Sequence, residues 1–354
     1  MFIENRASAP TEVGGSLPSP LTREGAGSRP PRVAAKVSVI VPAYNESQNV
    51  DVLASAVGRV LENQDYELLF VDDGSRDDTF GRIEALARAN PKVRGLGLSR
   101  NFGHQAALLA GLHHAIGDVI ITMDADLQHP PAIIPALIDR WRQGAHIVHT
   151  LRDDPPDFGR LKRAATSVFY RLSSVLCGVP LVRGMSDFRL LDRRVVDELK
   201  KLREARPFLR GVFTWMGYES AVVSYTAQGR HAGPAKYTWR KLARLAADGM
   251  FSFSTVPLRM GLPLGAIIVA LSVVELWYVG AAGWAGGALP GWTAVGLMGL
   301  LLGMLFLLVG IQGVYIARLY ERAVGRPAFI IERFIGEPID KPPKRQDVET
   351  GHGS

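Results

Sequence analysis

The sequence predicts an α/β domain built on a mostly parallel sheet, followed by amphipathic interfacial helices and two C-terminal transmembrane helices. From residue 36 to residue 150, short apolar runs alternate with helical patterns, which is typical of a parallel sheet with helices on both faces. Two later stretches, 261–283 and 292–319, carry almost no charge. Each is long enough to cross a hydrocarbon core of about 30 Å as a helix.

The α/β region also predicts where a ligand binds. Ligands of parallel sheets bind outside the carboxyl ends of the strands, and the distinctive polar clusters of this chain directly follow apolar runs. We therefore expect one active site at that edge. The predicted strands cover 37–41, 67–71, 93–98, 119–123 and 146–149, and helices are expected near 47–62, 77–89, 103–115 and 131–142.

Composition limits the compartment and the partners. Over 354 residues the net charge is +7, which favours contact with anionic groups such as phosphates, nucleic acid or lipid headgroups. Cys177 is the only cysteine, so no intrachain disulfide can form and a reducing compartment is the simplest assumption. Residues 1–35 are rich in Pro, Gly, Ser and Arg and lack an apolar core, which predicts a disordered tail and not a signal peptide.

The charges around the two apolar stretches predict a membrane hairpin. The connecting segment 284–291 is uncharged, whereas Arg259, Arg318, Arg322 and Arg326 flank the outer ends of the pair. By the positive-inside rule, the α/β domain and both termini are then cytoplasmic, and the protein is a multi-pass protein of the inner (plasma) membrane. The alternative is a pair of buried helices in a soluble protein.

Glu275 lies within the first apolar stretch, where a charged side chain needs a partner. The partner could be the second helix, a neighbouring copy in a homo-oligomer or a lipid ligand.

These features together predict the domain organisation. The predicted units are a tail (1–35), the α/β domain (36–235), a juxtamembrane amphipathic segment (236–258), two membrane helices (259–284 and 292–319) and a cytoplasmic C-terminal segment (320–354).

Two carboxylates one residue apart mark a candidate metal site. Asp124 and Asp126 follow the apolar run 119–123, and alternation along an extended chain would point both side chains the same way. Two such oxygen ligands suit Mg²⁺ or Mn²⁺, which usually keep waters and bridge to substrate phosphates. The alternative is an acidic turn that caps the helix expected to begin at Pro130 and Pro131.

Acidic and polar residues also follow the first two strands. Neither segment 42–46 (PAYNE) nor segment 72–75 (DDGS) is a dinucleotide-binding or Walker loop, which argues against NAD enzymes and P-loop ATPases. Helix capping accounts for Asn, Ser and Gly here. It does not account for Glu46, Asp72 and Asp73, whose mutual repulsion would be relieved by sugar hydroxyls, a uracil N–H group and a divalent cation.

Basic residues gather beyond the last predicted strand. They precede or lie along the amphipathic pattern 158–176. A solvated helix face and an interfacial helix whose cations meet lipid headgroups both explain this cluster. Its members are Arg152, Arg160, Lys162, Arg163 and Arg171.

Several motifs in order resemble a known family. Together they are similar to the inverting family 2 glycosyltransferases with the GT-A fold, and more narrowly to the polyprenyl-phosphate glycosyltransferases. That branch includes dolichyl-phosphate mannose synthase and the bacterial GtrB type, and the resemblance covers roughly residues 36–335. The motifs are VPAYNE (41–46), DDGSRDDT (72–79), LSRNFGHQAALLAG (98–111), DADLQHPP (124–131), SDFRLLDRR (186–194) and GPAKYTWRKL (233–242).

The resemblance implies a role for each matching residue. The donor nucleotide would contact Pro42, Tyr44, Glu46, Asp73 and Asp124. The metal and diphosphate would contact Asp124, Asp126 and Gln128, and Asp187 would be the catalytic carboxylate. Phosphate and acceptor binding would involve Arg152, Arg163, Ser167, Arg230 and Lys236. The family usually has Gly-x-Ser-Lys where this chain has Ala235 before Lys236, which removes one possible phosphate contact.

The implied reaction is inverting transfer of one sugar from a nucleotide diphosphate, with a UDP-hexose favoured, to undecaprenyl or another polyprenyl phosphate. Mg²⁺ or Mn²⁺ would neutralise the leaving diphosphate, and the partners would be the nucleotide sugar, the lipid and the membrane, with no nucleic acid. Because a phosphate is already nucleophilic near neutral pH, Asp187 would position a substrate more than remove a proton. The alternatives are a GDP-mannose-dependent synthase, a processive polysaccharide synthase and an inactive membrane scaffold.

Overall fold

A computed structural model describes residues 35–152, 184–202, 208–226, 258, 261–284 and 291–336. Its strands are β1 (Val37–Ala43), β2 (Tyr66–Asp72), β3 (Val93–Leu98), β4 (Val119–Thr122), β5 (Ile147–Arg152), β6 (Met185–Asp192), β7 (Ser220–Tyr225) and β8 (Ile331–Ile335). Its helices are α1 (Val50–Val60), α2 (Thr79–Ala89), α3 (His104–His114), a 3₁₀ turn (Pro131–Ile133), α4 (Ile134–Arg142), α5 (Arg193–Lys201), α6 (Leu209–Trp215), α7 (Gly261–Trp284) and α8 (Gly291–Val324).

The strands form one eight-stranded sheet in the order β7-β5-β6-β4-β1-β2-β3-β8. The central pairs β1–β2, β1–β4 and β2–β3 are parallel, as is β5–β7. Strand β6 is antiparallel to both β4 and β5, and β8 is antiparallel to β3. The predicted mostly parallel sheet is therefore confirmed, and its parallel strands end at one common edge.

Helices cover both faces of the sheet, as predicted. One face packs against α1, α2 and α4, through buried side chains such as Leu53, Ile83 and Trp141. The other packs against α3, α5 and α6, for example through Leu108 and Val212. Because the central strands are buried on both sides, they consist mainly of Val, Ile, Leu and Phe and show no alternation of polar residues.

The predicted strands and helices of the first half are confirmed, but the turn after β4 differs from expectation. The regular strand ends at Thr122, and the two acidic residues lie in the turn that follows. Leu127 has a φ of 62°, a left-handed conformation that is uncommon for residues other than glycine. Alternation along a strand therefore does not set the directions of Asp124 and Asp126.

The two C-terminal apolar stretches are helical, with exposed apolar side chains such as Leu271 (62% exposed) in α7 and Phe306 (70% exposed) in α8. Among the described residues, one segment, Met298–Ala317 of α8, is long and apolar enough to cross a membrane. Helix α7 contributes the shorter apolar segment Pro263–Val274. One predicted span is therefore supported, and the second is not confirmed.

After α8 the chain returns to the sheet. Strand β8 pairs with the outer edge of β3, with Arg333 opposite Gly97 and Ile331 opposite Leu98. This strand falls within the segment 320–354, which was predicted as a cytoplasmic C-terminal segment without a strand. Pairing covers an edge that would otherwise expose unpaired backbone groups, so helix α8 is followed directly by a part of the α/β domain.

Candidate active site

The loops after β1 and β2 are joined by side-chain hydrogen bonds. The backbone N–H of Asn45 donates to the Ser75 hydroxyl (2.9 Å), and the N–H of Arg76 donates to the Asn45 side-chain oxygen (2.9 Å). The N–H of Glu46 donates to the Thr79 hydroxyl (2.9 Å). Asn45 has a φ of 54°, which asparagine tolerates better than most residues. The polar motif residues therefore hold the two loops against each other.

Two buried aspartates, the last residue of β2 and the residue after it, shape the neighbouring loops. The carboxylate of Asp73 accepts hydrogen bonds from the backbone N–H groups of Phe102 (2.7 Å) and Gly103 (2.9 Å). Asp72 accepts from the N–H of Ser75 (3.3 Å). Burial raises the pKa of both carboxyl groups above the ordinary value. Asp73 thus supports the loop that leads into α3, besides any contact with a donor.

Gly74 lets this turn pack against the loop after β3. Its φ is +66°, and a Cβ atom there would lie 2.5 Å from the carbonyl carbon of Arg100. Glycine alone adopts this conformation readily and leaves room for the neighbouring backbone. Two further residues predicted to bind the donor nucleotide belong to β1 and the loop after it. Pro42 is buried within β1, and Tyr44 is half-buried just beyond the end of that strand.

The turn after β4 presents the predicted metal ligands. The backbone N–H of Gln128 donates to Asp126 (3.2 Å), and the N–H of Asp124 donates to Nδ1 of His129 (2.9 Å). The left-handed Leu127 sits between them and packs on the core. A residue in such a strained conformation persists only where surrounding contacts hold it. Here the hydrogen bonds to Asp126 and His129 hold the turn on either side of Leu127.

His129 is a supporting residue that the sequence analysis missed. Because Nδ1 accepts the Asp124 N–H, the neutral ring carries its proton on Nε2, which lies 3.7 Å from the Asp124 carboxylate. The ring stacks on Phe188 with centroids 5.2 Å apart and meets Tyr225 edge-on. His129 therefore orients Asp124 from within the core.

Asp187 lies at the start of β6 between two arginines. Arg210 donates from Nε (2.9 Å) and Nη2 (2.8 Å), one bond to each carboxylate oxygen, and Arg189 donates from Nη2 (2.9 Å). The Thr122 hydroxyl donates to the Asp187 backbone carbonyl (2.5 Å) and so joins the end of β4 to this cluster. The cluster thus begins directly beside the turn that carries Asp124.

These contacts decide the charge of Asp187. Burial alone would raise its pKa, but the charge of Arg210, the hydrogen bonds with His104 and Arg210, and the charge of Arg189 hold the pKa well below the usual value. Burial lowers the pKa of Arg189 to about 10, which leaves it charged at neutral pH. A general base works best with a pKa near the operating pH, so a carboxylate with a pKa this low is a weak base.

His104, at the start of α3, lies between the two acidic sites. Its Nε2 is 3.5 Å from an oxygen of Asp124 and 3.6 Å from an oxygen of Asp187. Burial would lower its pKa, but the hydrogen bond to Asp187 and the charge of Asp124 raise it to about 9. The structure places its imidazole as a bridge between the carboxylates.

The residues present fit a divalent cation held jointly with a substrate. One carboxylate oxygen of Asp124 is buried without a hydrogen-bond partner in the described structure. Among the residues that the structure describes, no three His, Cys, Asp or Glu side chains lie close enough together to hold a metal ion by themselves. One or two carboxylates completed by substrate phosphates and water is a common arrangement for Mg²⁺.

The predicted phosphate-binding residues are only partly visible. Arg152 is exposed at the end of β5, and its Nη1 donates to the Gln128 side-chain oxygen (3.4 Å). This contact places a predicted phosphate ligand next to a predicted metal ligand. The other four, Arg163, Ser167, Arg230 and Lys236, lie outside the described residues.

Comparisons with known proteins agree with the motifs. Residues 38–200 match the family described as glycosyl transferase family 2. The chain is 37% identical over 302 residues to the prophage bactoprenol glucosyl transferase homolog of Escherichia coli K12, covering 84% of this chain and 99% of that protein. It is 38% identical to the bactoprenol glucosyl transferase of Shigella phage SfV, covering 84% and 98%.

A Bacillus subtilis protein described as the uncharacterized glycosyltransferase YkcC is 34% identical, covering 84% of this chain and 94% of that protein. Among solved structures, glucosyl-3-phosphoglycerate synthase of Mycobacterium tuberculosis aligns with a TM-score of 0.44 and 20% identity, over 61% of this chain and 76% of that one. The resemblance predicted from the sequence motifs is confirmed by the nearly full-length relatives. The chain therefore belongs to glycosyltransferase family 2, with the α/β GT-A fold.

Proposed function

We propose that this glycosyltransferase moves a single hexose from UDP to a polyprenyl phosphate at the cytoplasmic face of the membrane, with inversion at the anomeric carbon. The observation that carries the proposal is the bridge formed by His104. One imidazole nitrogen lies within 3.6 Å of both Asp124 and Asp187. A donor diphosphate beside the first carboxylate and an acceptor beside the second would then be neighbours in one cleft.

The donor side is built for a nucleotide. Nucleotide bases and ribose carry N–H and O–H donors, and the loops after β1 and β2 offer the acceptors of Tyr44, Glu46, Asp72 and Asp73 at one sheet edge. Pro42 supplies a rigid wall within β1. The relatives described as bactoprenol glucosyl transferases favour glucose among the hexoses, and GDP-mannose is the second candidate donor.

The metal would be Mg²⁺ or Mn²⁺, bound by Asp124 and Asp126, with Gln128 beside it. When bound, it would neutralise the charge that develops on the departing diphosphate. The protein holds these side chains ready through the left-handed turn at Leu127 and the hydrogen bond from Asp124 to His129. No part of this arrangement requires a proton to move.

The acceptor side requires positive charge and no base. A phosphate monoester is already an anion near neutral pH, so its oxygen can attack the sugar carbon opposite the diphosphate without losing a proton to Asp187. Arginines meet phosphates through paired hydrogen bonds. Arg152 and the cluster around Asp187 supply this chemistry, and Arg163, Ser167, Arg230 and Lys236 belong to the same proposal.

Because the proposed acceptor is a membrane lipid, the enzyme must also be held at the membrane. Helix α8 supplies one apolar span, and we assign the second to α7, so that the protein is multi-pass with both termini cytoplasmic and can form a homo-oligomer through these helices. In a Cys177→Ser background, a cysteine at position 287 should react with an impermeant thiol reagent outside intact cells. A cysteine at position 351 should be protected until the cells are opened, and its labelling from outside would refute the topology.

The reaction is tested by incubating the purified full-length protein with undecaprenyl phosphate, Mn²⁺ and UDP-glucose, UDP-galactose, UDP-N-acetylglucosamine or GDP-mannose. Mass spectrometry should reveal a monoglycosylated lipid phosphate with a UDP-hexose, and the matched control is Asp124→Asn. Product only with GDP-mannose would favour the second candidate. Polymeric product would favour a processive synthase, and no product with any donor, together with no hydrolysis of the donors, would favour an inactive scaffold.

A further inference from the structure

The cluster around Asp187 brings two guanidinium groups to one buried carboxylate. Asp187 pairs with both Arg189 and Arg210, and one of its oxygens also lies 3.6 Å from Nε2 of His104. Guanidinium groups are typical partners of phosphates, because their planar set of N–H donors forms paired hydrogen bonds with phosphate oxygens. The position of each arginine decides which of the two could meet an anion.

Exposure identifies which arginine would meet the anion. The side chain of Arg189 is 2% exposed and lies over the Phe213 ring at 5.2 Å, so it supports the cluster from inside. The side chain of Arg210 is 21% exposed. Arg210 is therefore the member of the pair that reaches the cleft.

Asp187 fixes the direction of that guanidinium. Its two oxygens accept from Nε and Nη2 of Arg210 at 2.9 and 2.8 Å, a paired contact that defines the plane of the group. Arg189 holds the carboxylate from the other side. Helix α6 anchors the Arg210 backbone through the buried residues Leu209 and Val212. An arginine held in this way loses little conformational entropy when it binds an anion.

We infer that Arg210 binds the phosphate group of the lipid acceptor, and that Asp187 is the positioning residue that orients it. The inference rests on the proposed function. A nucleophilic phosphate must lie next to the sugar carbon and hence next to the donor diphosphate. Arg210 is linked to Asp124 by successive contacts, since it pairs with Asp187, and His104 lies 3.6 Å from Asp187 and 3.5 Å from Asp124. Arg210 would thus act beside the predicted phosphate ligand Arg152.

The test compares Arg210→Gln and Arg210→Lys with Arg88→Gln, an exposed arginine paired with Glu84 on α2. For each full-length variant, acceptor kinetics with farnesyl phosphate are measured beside titration with UDP and Mn²⁺. Loss of a charge-assisted contact should raise the acceptor KM about ten- to hundredfold in Arg210→Gln. The UDP dissociation constant should stay within about twofold of the wild type, since the contact is not to the donor. Arg210→Lys should recover part of the loss, because an ammonium keeps the charge without the planar fork.

Asp187→Asn separates positioning from proton transfer. A positioning role predicts a higher acceptor KM and an unchanged pH profile of kcat, whereas a general base would lose the acidic limb of that profile. An unchanged acceptor KM in a folded Arg210→Gln enzyme would overturn the inference, and so would an equal loss of UDP affinity, which would assign Arg210 to the donor diphosphate. If the wild type glycosylates no polyprenyl phosphate, the proposed function and this inference both fail.

Discussion

Two regions of the molecule are held together by different kinds of contact. One is the donor edge, which consists of the loops after β1 and β2 (residues 44–46 and 73–75). The other is the Asp187 cluster, which consists of Asp187, Arg189 and Arg210. At the donor edge, side chains of short motifs bind backbone N–H groups of neighbouring loops, as Asp73 does with Phe102 and Gly103. In the Asp187 cluster, charged side chains from β6 and α6 bind one another in a buried setting. The first region is shaped by loop geometry and the second by charge.

Under the proposed function, this difference matches the two substrates. A nucleotide presents many directional donors and acceptors, so a pocket of fixed loops suits it. A lipid phosphate presents little besides its charge, so a rigidly held cation suits it. Asp124 and His104 join the two regions, and changes at that junction should therefore have the largest effects.

The largest expected effect is at the metal turn. Asp126→Ala should lose more than about 3 kcal/mol of transition-state stabilisation, on the order of a hundredfold or more in kcat/KM, because the donor diphosphate would lose its metal. EDTA should abolish activity, and Mg²⁺ or Mn²⁺ should restore it. The control is Asp139→Ala, an exposed carboxylate paired with Arg142 on α4. A near wild-type rate in Asp126→Ala, or full activity in EDTA, would refute the metal site.

A substitution in the loop after β2 should have a smaller effect, and it should show whether the donor edge and the Asp187 cluster act independently. Gly74→Ala forces a left-handed alanine against the Arg100 backbone, which should destabilise the fold by about 1–3 kcal/mol and weaken UDP binding, with the acceptor KM unchanged. Gly303→Ala is the control, since it makes the same change within helix α8, where alanine is favoured and a Cβ would meet no atom within 4 Å. Thermal unfolding and UDP titration measure both effects. An equal rise in acceptor KM would show that the two regions are not independent.

The smallest effect concerns pH. The folded pKa of Asp187 lies below its usual value, so its pairing adds stability above the unfolded pKa of about 3.9, and this stability is lost as the pH falls through the folded pKa. From pH 7 to about 5 the difference in melting temperature between the wild type and Asp187→Asn, which lacks the titrating carboxyl group, should be constant, and below about pH 4 it should shrink. A difference that already changes near pH 6 would mean that Asp187 is not held as an anion.

The sequence by itself determined which polar residues follow the parallel strands. Strands β1 to β5 were predicted to within a few residues, because a parallel sheet buried on both faces needs continuous runs of Val, Ile and Leu. The residues at the strand ends, Asp73, Asp124 and Asp126 among them, followed from that placement, since ligand sites of such sheets lie at one edge. Local patterns suffice when each functional residue follows its own strand.

The tertiary structure alone decided the charge cluster and the sheet edges. Arg210 lies outside the family motifs. His104, His129, Arg189 and Asp187 lie within them, but the motifs do not show which of these side chains contact one another. Strand β6 runs antiparallel between β4 and β5, so residues more than 60 positions apart, such as Thr122 and Asp187, meet directly. The pKa values of Asp187 and His104 depend on distances across such contacts, because electrostatic interactions act through space and not along the chain.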